Sequence, residues 1–247
     1  MRVLITGSSG FLASSIITKL IDNGHHVNYF TRDNSMSELI SLIKNSDYCF
    51  HLAGEVNPKA SPVDFNDSNV NLTRELVKYL QVYNPIPIIF SSTIHAGQAN
   101  NDYGNSKLLA ERLVSDYGIA NAVATHIYRL PHLFGVGAKE HYNSVFTTWV
   151  FNVLRGEELI IFDGDVVMSY IQVDELSHVF NQQLGSIRTL DLPPTYKISL
   201  TDLKIKIQEI SRLLDEQIGY ENKFDSYVFD MLQDAKRRIK KSAQISN

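Results

Sequence analysis

A single cysteine, Cys49, in 247 residues rules out an intramolecular disulfide. Set within Tyr48-Cys49-Phe50-His51-Leu52, that thiol reads as a packed strand residue. Long apolar runs are missing too. Nothing approaches the ~18 residues of a membrane span, and the first apolar stretch is too short for a secretory signal, so no membrane partner and a cytoplasmic location are expected. Positive charge is not in excess: 23 Lys and Arg stand against 27 Asp and Glu, a formal net charge of −4. The basic clusters form no stripe with interleaved aromatics, so nucleic acid is not an expected partner. Lys236-Arg-Arg-Ile-Lys-Lys241 reads as a solvated helix face. The histidines show no ligand spacing with Cys or paired carboxylates, and no metal is assigned. Internal repeats and low-complexity linkers are absent.

What is present is ordinary globular usage, 44% hydrophobic and 20% charged, in a length ample for one α/β core. Strand and helix patterns alternate, the mark of a parallel sheet with helices on both faces. Strands are expected near 2–6, 27–31, 48–53, 86–91, 123–129 and 159–162, and helices near 11–23, 36–45, 69–83, 103–118 and 144–155. A further helix, capped by Ser199, should run through Leu214, with Leu203, Ile207, Ile210 and Leu214 at helical spacing.

The amino terminus reads as strand, glycine turn, helix. Arg2-Val3-Leu4-Ile5-Thr6 runs at once into Gly7-Ser8-Ser9-Gly10-Phe11-Leu12-Ala13 and an apolar helical pattern. Glycines at 7 and 10 allow a tight turn and close approach to a diphosphate, whose charge meets the amides and positive dipole end of the helix. A doubly wound, Rossmann-type dinucleotide fold follows. An NAD-selective site carries an acidic side chain about 20 residues past the glycines, but here Thr31 and Arg32 stand there. A guanidinium can bind a ribose 2′-phosphate with two charge-assisted hydrogen bonds. NADP(H) is therefore expected to be preferred, with NAD(H) also accepted. The alternative is that Arg32 is simply an exposed loop residue.

Tyr103-Gly-Asn-Ser-Lys107 places a phenol and an ammonium on one face of a helix, about one turn apart. Phenols ordinarily titrate near pH ~10, so proton transfer at neutral pH needs a group that stabilises the phenolate, and the ammonium is suited to that. Ten residues upstream of the tyrosine, Ile88-Ile89-Phe90 reads as a buried strand ending in Ser91-Ser92-Thr93. Those hydroxyls stand at a strand's carboxyl end, the edge where open parallel sheets bind ligands.

Gly7-Ser-Ser-Gly10, His51-Leu-Ala-Gly54, Asn69 in Asn-Val-Asn-Leu-Thr, Ser92-Thr93, Tyr103-x-x-x-Lys107 and Tyr128-Arg-Leu-Pro-His-Leu-Phe-Gly135 resemble, in order and spacing, the extended short-chain dehydrogenase/reductase superfamily of nucleotide-sugar epimerases, dehydratases and reductases. The resemblance covers about residues 1–180. More narrowly, Thr93-Ile-His-Ala, His141-Tyr-Asn-Ser-Val145 and Tyr170-Ile-Gln-Val-Asp174 look like the reductase domain of capsule and O-antigen enzymes. Those act on UDP-4-keto-6-deoxy-N-acetylhexosamines toward N-acetyl-L-fucosamine. They usually carry a carboxy-terminal cupin domain, which is not expected here, nor is the 3-epimerase chemistry that domain performs.

The resemblance implies that Thr93 hydrogen-bonds the sugar oxygen at C4, that Tyr103 protonates it, and that Lys107 binds the nicotinamide ribose while lowering the phenol's pKa. It places Gly7, Ser8, Gly10, Phe11, Leu12, Arg32, Leu52, Ala53 and Gly54 around the cofactor. Asn69 would lie near its adenine side or in a structural water network, and Ser92 would support the strand end. It also implies one domain over 1–247, with a cofactor core of 1–135 and part of 144–180. A substrate-side lobe would take about 136–143 and 181–247, and a homodimer would form through the helices near 69–83 and 103–118.

Where dehydratases place an acidic pair after the threonine, Ile94 and His95 follow Thr93, so dehydration is not expected. His132 replaces a sugar-facing Asn of many relatives and reads equally as a ligand of sugar or diphosphate or as a structural histidine. Met168 replaces an arginine that often grips the diphosphate. Asn143 and Ser144 are candidate diphosphate ligands at a helix start, with N-capping as the other reading of Asn143. Three functions stay open: an NADPH-dependent reductase of a 4-keto nucleotide sugar, an epimerase with tightly bound nucleotide, and a non-catalytic NADP(H) sensor.

Overall fold

The computed structural model describes residues 1–98, 101–214 and 222–245. Residues 215–221 and 246–247 of the expected substrate lobe lie outside the described residues. The chain divides into two compact units, Met1–Pro131 with Asp174–Pro193, and His132–Val173 with Pro194–Asn247.

In the first unit, β1 (Arg2–Thr6), α1 (Phe11–Asp22), β2 (His26–Phe30), α2 (Met36–Lys44) and β3 (Tyr48–His51) open the alternation. A short α3 (Pro62–Phe65) runs through a π-helical segment, Asn66–Asn71, into α4 (Leu72–Tyr83). Then come β4 (Ile88–Thr93), α5 (Asp102–Asn121) and β5 (Thr125–Leu130). All five strands are parallel, in the order β2-β1-β3-β4-β5. The order reverses between β1 and β3, so a crevice opens at their carboxyl ends. β3 is buried at every position, as a strand covered on both faces must be, and Cys49 packs inside it as expected. Helix ends follow local chemistry: Ser35 and Glu38 form a capping box on α2, and α5 stops at Ala122, which is left-handed at φ 52°.

The second unit holds β6 (His132–Phe134), α6 (Val145–Arg155) and β7 (Val167–Gln172), after which α7 (Val173–Gln183) begins. It resumes with β8 (Tyr196–Ser199), α8 (Leu200–Arg212) and α9 (Lys223–Ile245). Its three strands order as β6-β7-β8, the first pair parallel and the second antiparallel. Phe134 is the hub: its ring stacks on Phe146 at 5.1 Å and meets Tyr170, Tyr196, Phe224 and Tyr227 within about 6 Å.

This hub gathers the second unit, and of the expected part of 144–180 it is residues 174–180 that lie with the first. Residues 144–173 pack with the second unit rather than with the cofactor core, because α6 turns Phe146, Trp149 and Val150 onto Phe134, Leu203, Ile207 and Val228. Residues 181–193 belong to the first unit, where the Tyr128 hydroxyl donates to Gln183 at 2.6 Å and Gln183 donates to the Arg188 carbonyl. Residues 159–162 form no strand. Leu159 is buried while Ile160 and Phe162 face solvent, an alternation fit for a strand but without a pairing partner. The three strands of the second unit were not anticipated. In the basic run of α9, Arg238 is not simply solvated: it donates to the Ala138 carbonyl at 2.8 Å and lies over the Phe151 ring. Among the described residues no helix is long and apolar enough to cross a membrane.

Replacing Phe134 by Ala should cost about 3–5 kcal/mol, because a fully buried ring leaves a cavity among five others. Phe162→Ala, at a side chain 99% exposed, should stay within about 0.5 kcal/mol. Urea unfolding of the two variants checks the contrast, and equal effects would refute the assignment of the hub.

Candidate active site

Thr93 ends β4, and its hydroxyl accepts from the His95 N–H at 3.3 Å, capping a 3-10 turn over Ile94–Gly97. Asn101 caps α5 by accepting from the Gly104 N–H at 2.7 Å. Gly104 is needed there, since a Cβ would meet the His95 carbonyl oxygen at 2.6 Å. The first turn of α5 thus packs on the turn after β4, which brings the Tyr103 phenol close enough to the Thr93 side chain for the latter to act on its pKa. The phenol ring is 5.7 Å from Phe65 and 6.3 Å from His95. Burial pushes the phenol's pKa up, and the Thr93 side chain opposes that only in part. Burial thus favours the protonated phenol.

Lys107 is one turn further along α5 and only 3% exposed. Its ammonium lies 4.5 Å from the centroid of Phe90 and beside Gly54. Burial lowers its pKa to about 8, with the Glu111 carboxylate opposing. Glu111, another turn along, is clamped by Arg129 through two bonds of 2.9 and 2.7 Å and by the Ser92 hydroxyl at 2.5 Å. Ser92 thus ties the end of β4 to α5. Glu111 itself was overlooked, although its spacing from Lys107 repeats that of Lys107 from Tyr103.

The ends of β1 and β3 are joined by a buried chain of hydrogen bonds. The Thr73 hydroxyl donates to the Asn69 carbonyl at 2.6 Å, so it accepts from His51 Nε2, 2.7 Å away. His51 Nδ1 then accepts from the Thr6 hydroxyl at 2.7 Å, and Thr6 accepts from the Ala53 N–H at 3.3 Å. Burial first, and then the Lys107 charge, lower the His51 pKa to about 3, which fits this neutral form. Asn69, in the π-helical segment, accepts from the Glu55 N–H and donates to the Glu55 carbonyl and to Ser106. Its polar atoms are spent on holding the 54–55 backbone against α5.

Gly7, at φ 70°, has room only for hydrogen: a Cβ would lie 2.7 Å from both Ala53 N and Cα. Gly10 begins α1 without a side-chain cap, and no acidic residue stands in the first turn. Gly7 and Gly10 shape the turn and donate their own N–H groups to the Phe30 and Gly7 carbonyls, while the opening N–H groups of a helix, here those of Phe11 and Leu12, have no intrahelical acceptor and, with Ser8 in the turn, fit a dinucleotide diphosphate. Leu52, Ala53 and Gly54 leave β3 beside it, Ala53 in contact range of Gly7. Arg32 follows β2 with its side chain 82% exposed and its guanidinium 3.3 Å from Glu55. All these residues belong to the first unit.

His132, Asn143 and Ser144 belong to the second. His132 opens β6 with its ring 5.7 Å from that of Tyr170. The N-cap of α6 is Ser144, which accepts from the Thr147 N–H at 3.3 Å, and not Asn143. No group of His, Cys, Asp and Glu among the described residues could hold a metal ion.

A sequence model of the NAD dependent epimerase/dehydratase family matches residues 3–199. The chain is 31% identical over 215 residues to the UDP-2-acetamido-2,6-beta-L-arabino-hexul-4-ose reductase of Pseudomonas aeruginosa, covering 85% of this chain and 57% of that protein. It superposes on the capsular polysaccharide assembling protein CapF of Staphylococcus aureus with a TM-score of 0.84 and 26% identity, over 95% of this chain and 65% of that one. The NADH complex of the Bordetella bronchiseptica enzyme WbmF shares the fold, with a TM-score of 0.83 at 18% identity over 99% and 94% of the two chains. The chain thus spans about six tenths of the length of the first two relatives.

The buried ammonium makes a pH prediction. The folded pKa of Lys107, about 8, lies below its ordinary 10.5. Below pH 8 both states are charged and the native state bears the full burial penalty; between 8 and 10.5 the native state sheds its proton first and the penalty fades. Lys107→Met should therefore be more stable than the parent at pH 7, by about 3 kcal/mol at most, with the gap closing as pH rises toward 10.5. Melting temperatures of both proteins across this range test it, and a gap independent of pH would contradict it.

Proposed function

Since the chain belongs to the NAD dependent epimerase/dehydratase family, we propose that it is an NADPH-dependent reductase of a 4-keto nucleotide sugar, UDP-linked, serving bacterial surface polysaccharide precursor synthesis. The observation that carries this reading is the close pairing of Thr93 at the end of β4 with Tyr103 on the first turn of α5, with buried Lys107 one turn away. The likeness to the Pseudomonas aeruginosa reductase supports the substrate class.

Thr93 and Tyr103 together hold the ketone oxygen, and the phenol, kept protonated by burial, gives that oxygen its proton. A bound nicotinamide dinucleotide supplies the hydride. Lys107 binds the nicotinamide ribose, and its ammonium offsets the charge left on the phenolate. The cradle of Gly7, Ser8, Gly10, Phe11 and Leu12 holds the diphosphate, Leu52, Ala53 and Gly54 flank it, and Asn69 orders that loop. Arg32 reads the ribose 2′-phosphate. His132, Asn143 and Ser144 contact the sugar nucleotide, Ser144 while also capping α6. No acid follows Thr93 in the turn Ile94–Gly97, which favours reduction over dehydration. The same reading makes the protein a cytoplasmic homodimer, in keeping with exposed Val82 and Tyr83 on α4 and Leu109 and Ile119 on α5.

Stopped-flow loss of NADPH absorbance on mixing with a UDP-4-keto-6-deoxy-N-acetylhexosamine tests the reading. Stoichiometric oxidation is expected, and nucleotide binding without oxidation would remove the reductase assignment. Tyr103→Phe should slow turnover about 10²- to 10⁴-fold while NADPH still binds; unchanged turnover would exclude the tyrosine as proton donor.

A further inference from the structure

We propose that Glu55 is a specificity-determining residue that moderates the nucleotide site's preference for the 2′-phosphorylated dinucleotide by engaging Arg32. The inference rests on the reading of Arg32 as the cation for the ribose 2′-phosphate. Its physical basis is the unequal freedom of the two partners. Glu55 Oε2 lies 3.3 Å from the Arg32 guanidinium, with the glutamate side chain 14% exposed and the arginine 82%.

The carboxylate is fixed on every side. Its other oxygen, Oε1, accepts from the backbone N–H groups of Val56 at 3.0 Å and Asn57 at 2.9 Å. The Glu55 backbone is held in turn by Asn69 Oδ1 at 2.8 Å and Asn69 Nδ2 at 3.2 Å. A negative charge is thereby anchored in the loop that leaves β3, beside the crevice at the sheet's switch point. The guanidinium, on a long exposed side chain, is the partner that moves.

Arg32 also faces Asp64, whose carboxyl it helps hold below the usual range, but Asp64 is already taken by the Ser61 N–H at 2.9 Å and the Ser61 hydroxyl at 2.8 Å. Glu55 is thus the acid that contacts the guanidinium directly. A 2′-phosphate must draw Arg32 away from that carboxylate and bear its repulsion, whereas a 2′-hydroxyl carries no charge to repel. The acidic function missing after β2 is supplied from the β3 loop, 23 residues away in sequence.

Glu55→Gln isolates this effect, because the amide keeps an oxygen for the Val56 and Asn57 N–H groups and removes the charge and the acceptor that face Arg32. Dissociation constants for NADPH and NADH, measured by nucleotide fluorescence on the full chain, give the ratio of affinities. That ratio should shift toward NADPH about two- to fivefold in Glu55→Gln, the range expected for a partly exposed charge pair. A ratio that is unchanged, or that moves toward NADH, overturns the proposal. Arg32→Ala separates the two layers. Selective loss of NADPH affinity there, with no change of ratio in Glu55→Gln, refutes the role of Glu55 alone. Equal loss of both nucleotides in Arg32→Ala removes the Arg32 reading and this inference with it.

Discussion

At Gly7 the end of β1 passes so close to the exit of β3 that a single methyl group would lie 2.7 Å from backbone atoms of Ala53. The turn is left-handed at φ 70°, so only glycine meets both demands. The approach is secured from below by the hydrogen-bonded series Ala53, Thr6, His51, Thr73 and Asn69. A buried polar group without a partner is costly, and here each hydroxyl both donates and accepts, so the chain is satisfied only when β1, β3 and α4 are in register. The cradle, the β3 loop and the foot of α5 all depend on that register.

One face of α5 is polar where it is buried. Tyr103, Lys107 and Glu111 recur at one-turn intervals, and Ser106, Lys107 and Glu111 are all buried. Burial shifts the first two in opposite directions, the phenol up and the ammonium down to about 8, as desolvation of a charged form requires. Arg129 and Ser92 hold Glu111 in place, so the carboxylate remains the counter-charge beneath the lysine. The site is a column of alternating charge roles built on one rigid helix, and the β4 strand supplies Thr93 at its mouth.

Nearly all of this first unit was legible from local pattern. Strand, glycine turn and helix at residues 2–22, the Tyr103–Lys107 spacing and the hydroxyls closing β4 are short-range signals, since turn geometry and helical repeat need only neighbouring residues. The second unit was harder to read. Residues 159–162 alternate as a strand does yet pair with nothing, while β8 is half exposed and pairs with β7. Ser144 rather than Asn143 caps α6, because the residue that turns extended is set by how the preceding loop enters the helix.

Sequence by itself therefore determined the doubly wound α/β class, the glycine turn after β1 and the one-turn spacing of Tyr103 and Lys107, because each rests on the conformational limits of a few consecutive residues. Only the tertiary structure decided which segments share a core, that His51 is the neutral link between β1 and α4, and that Arg129 anchors Glu111 across 18 residues of chain. It also decided that Arg32 meets a carboxylate after all, one carried by a different loop. Ion pairs and buried hydrogen bonds depend on distances of a few ångströms between groups far apart in the chain, and such distances exist only once the strands have paired and the helices have packed.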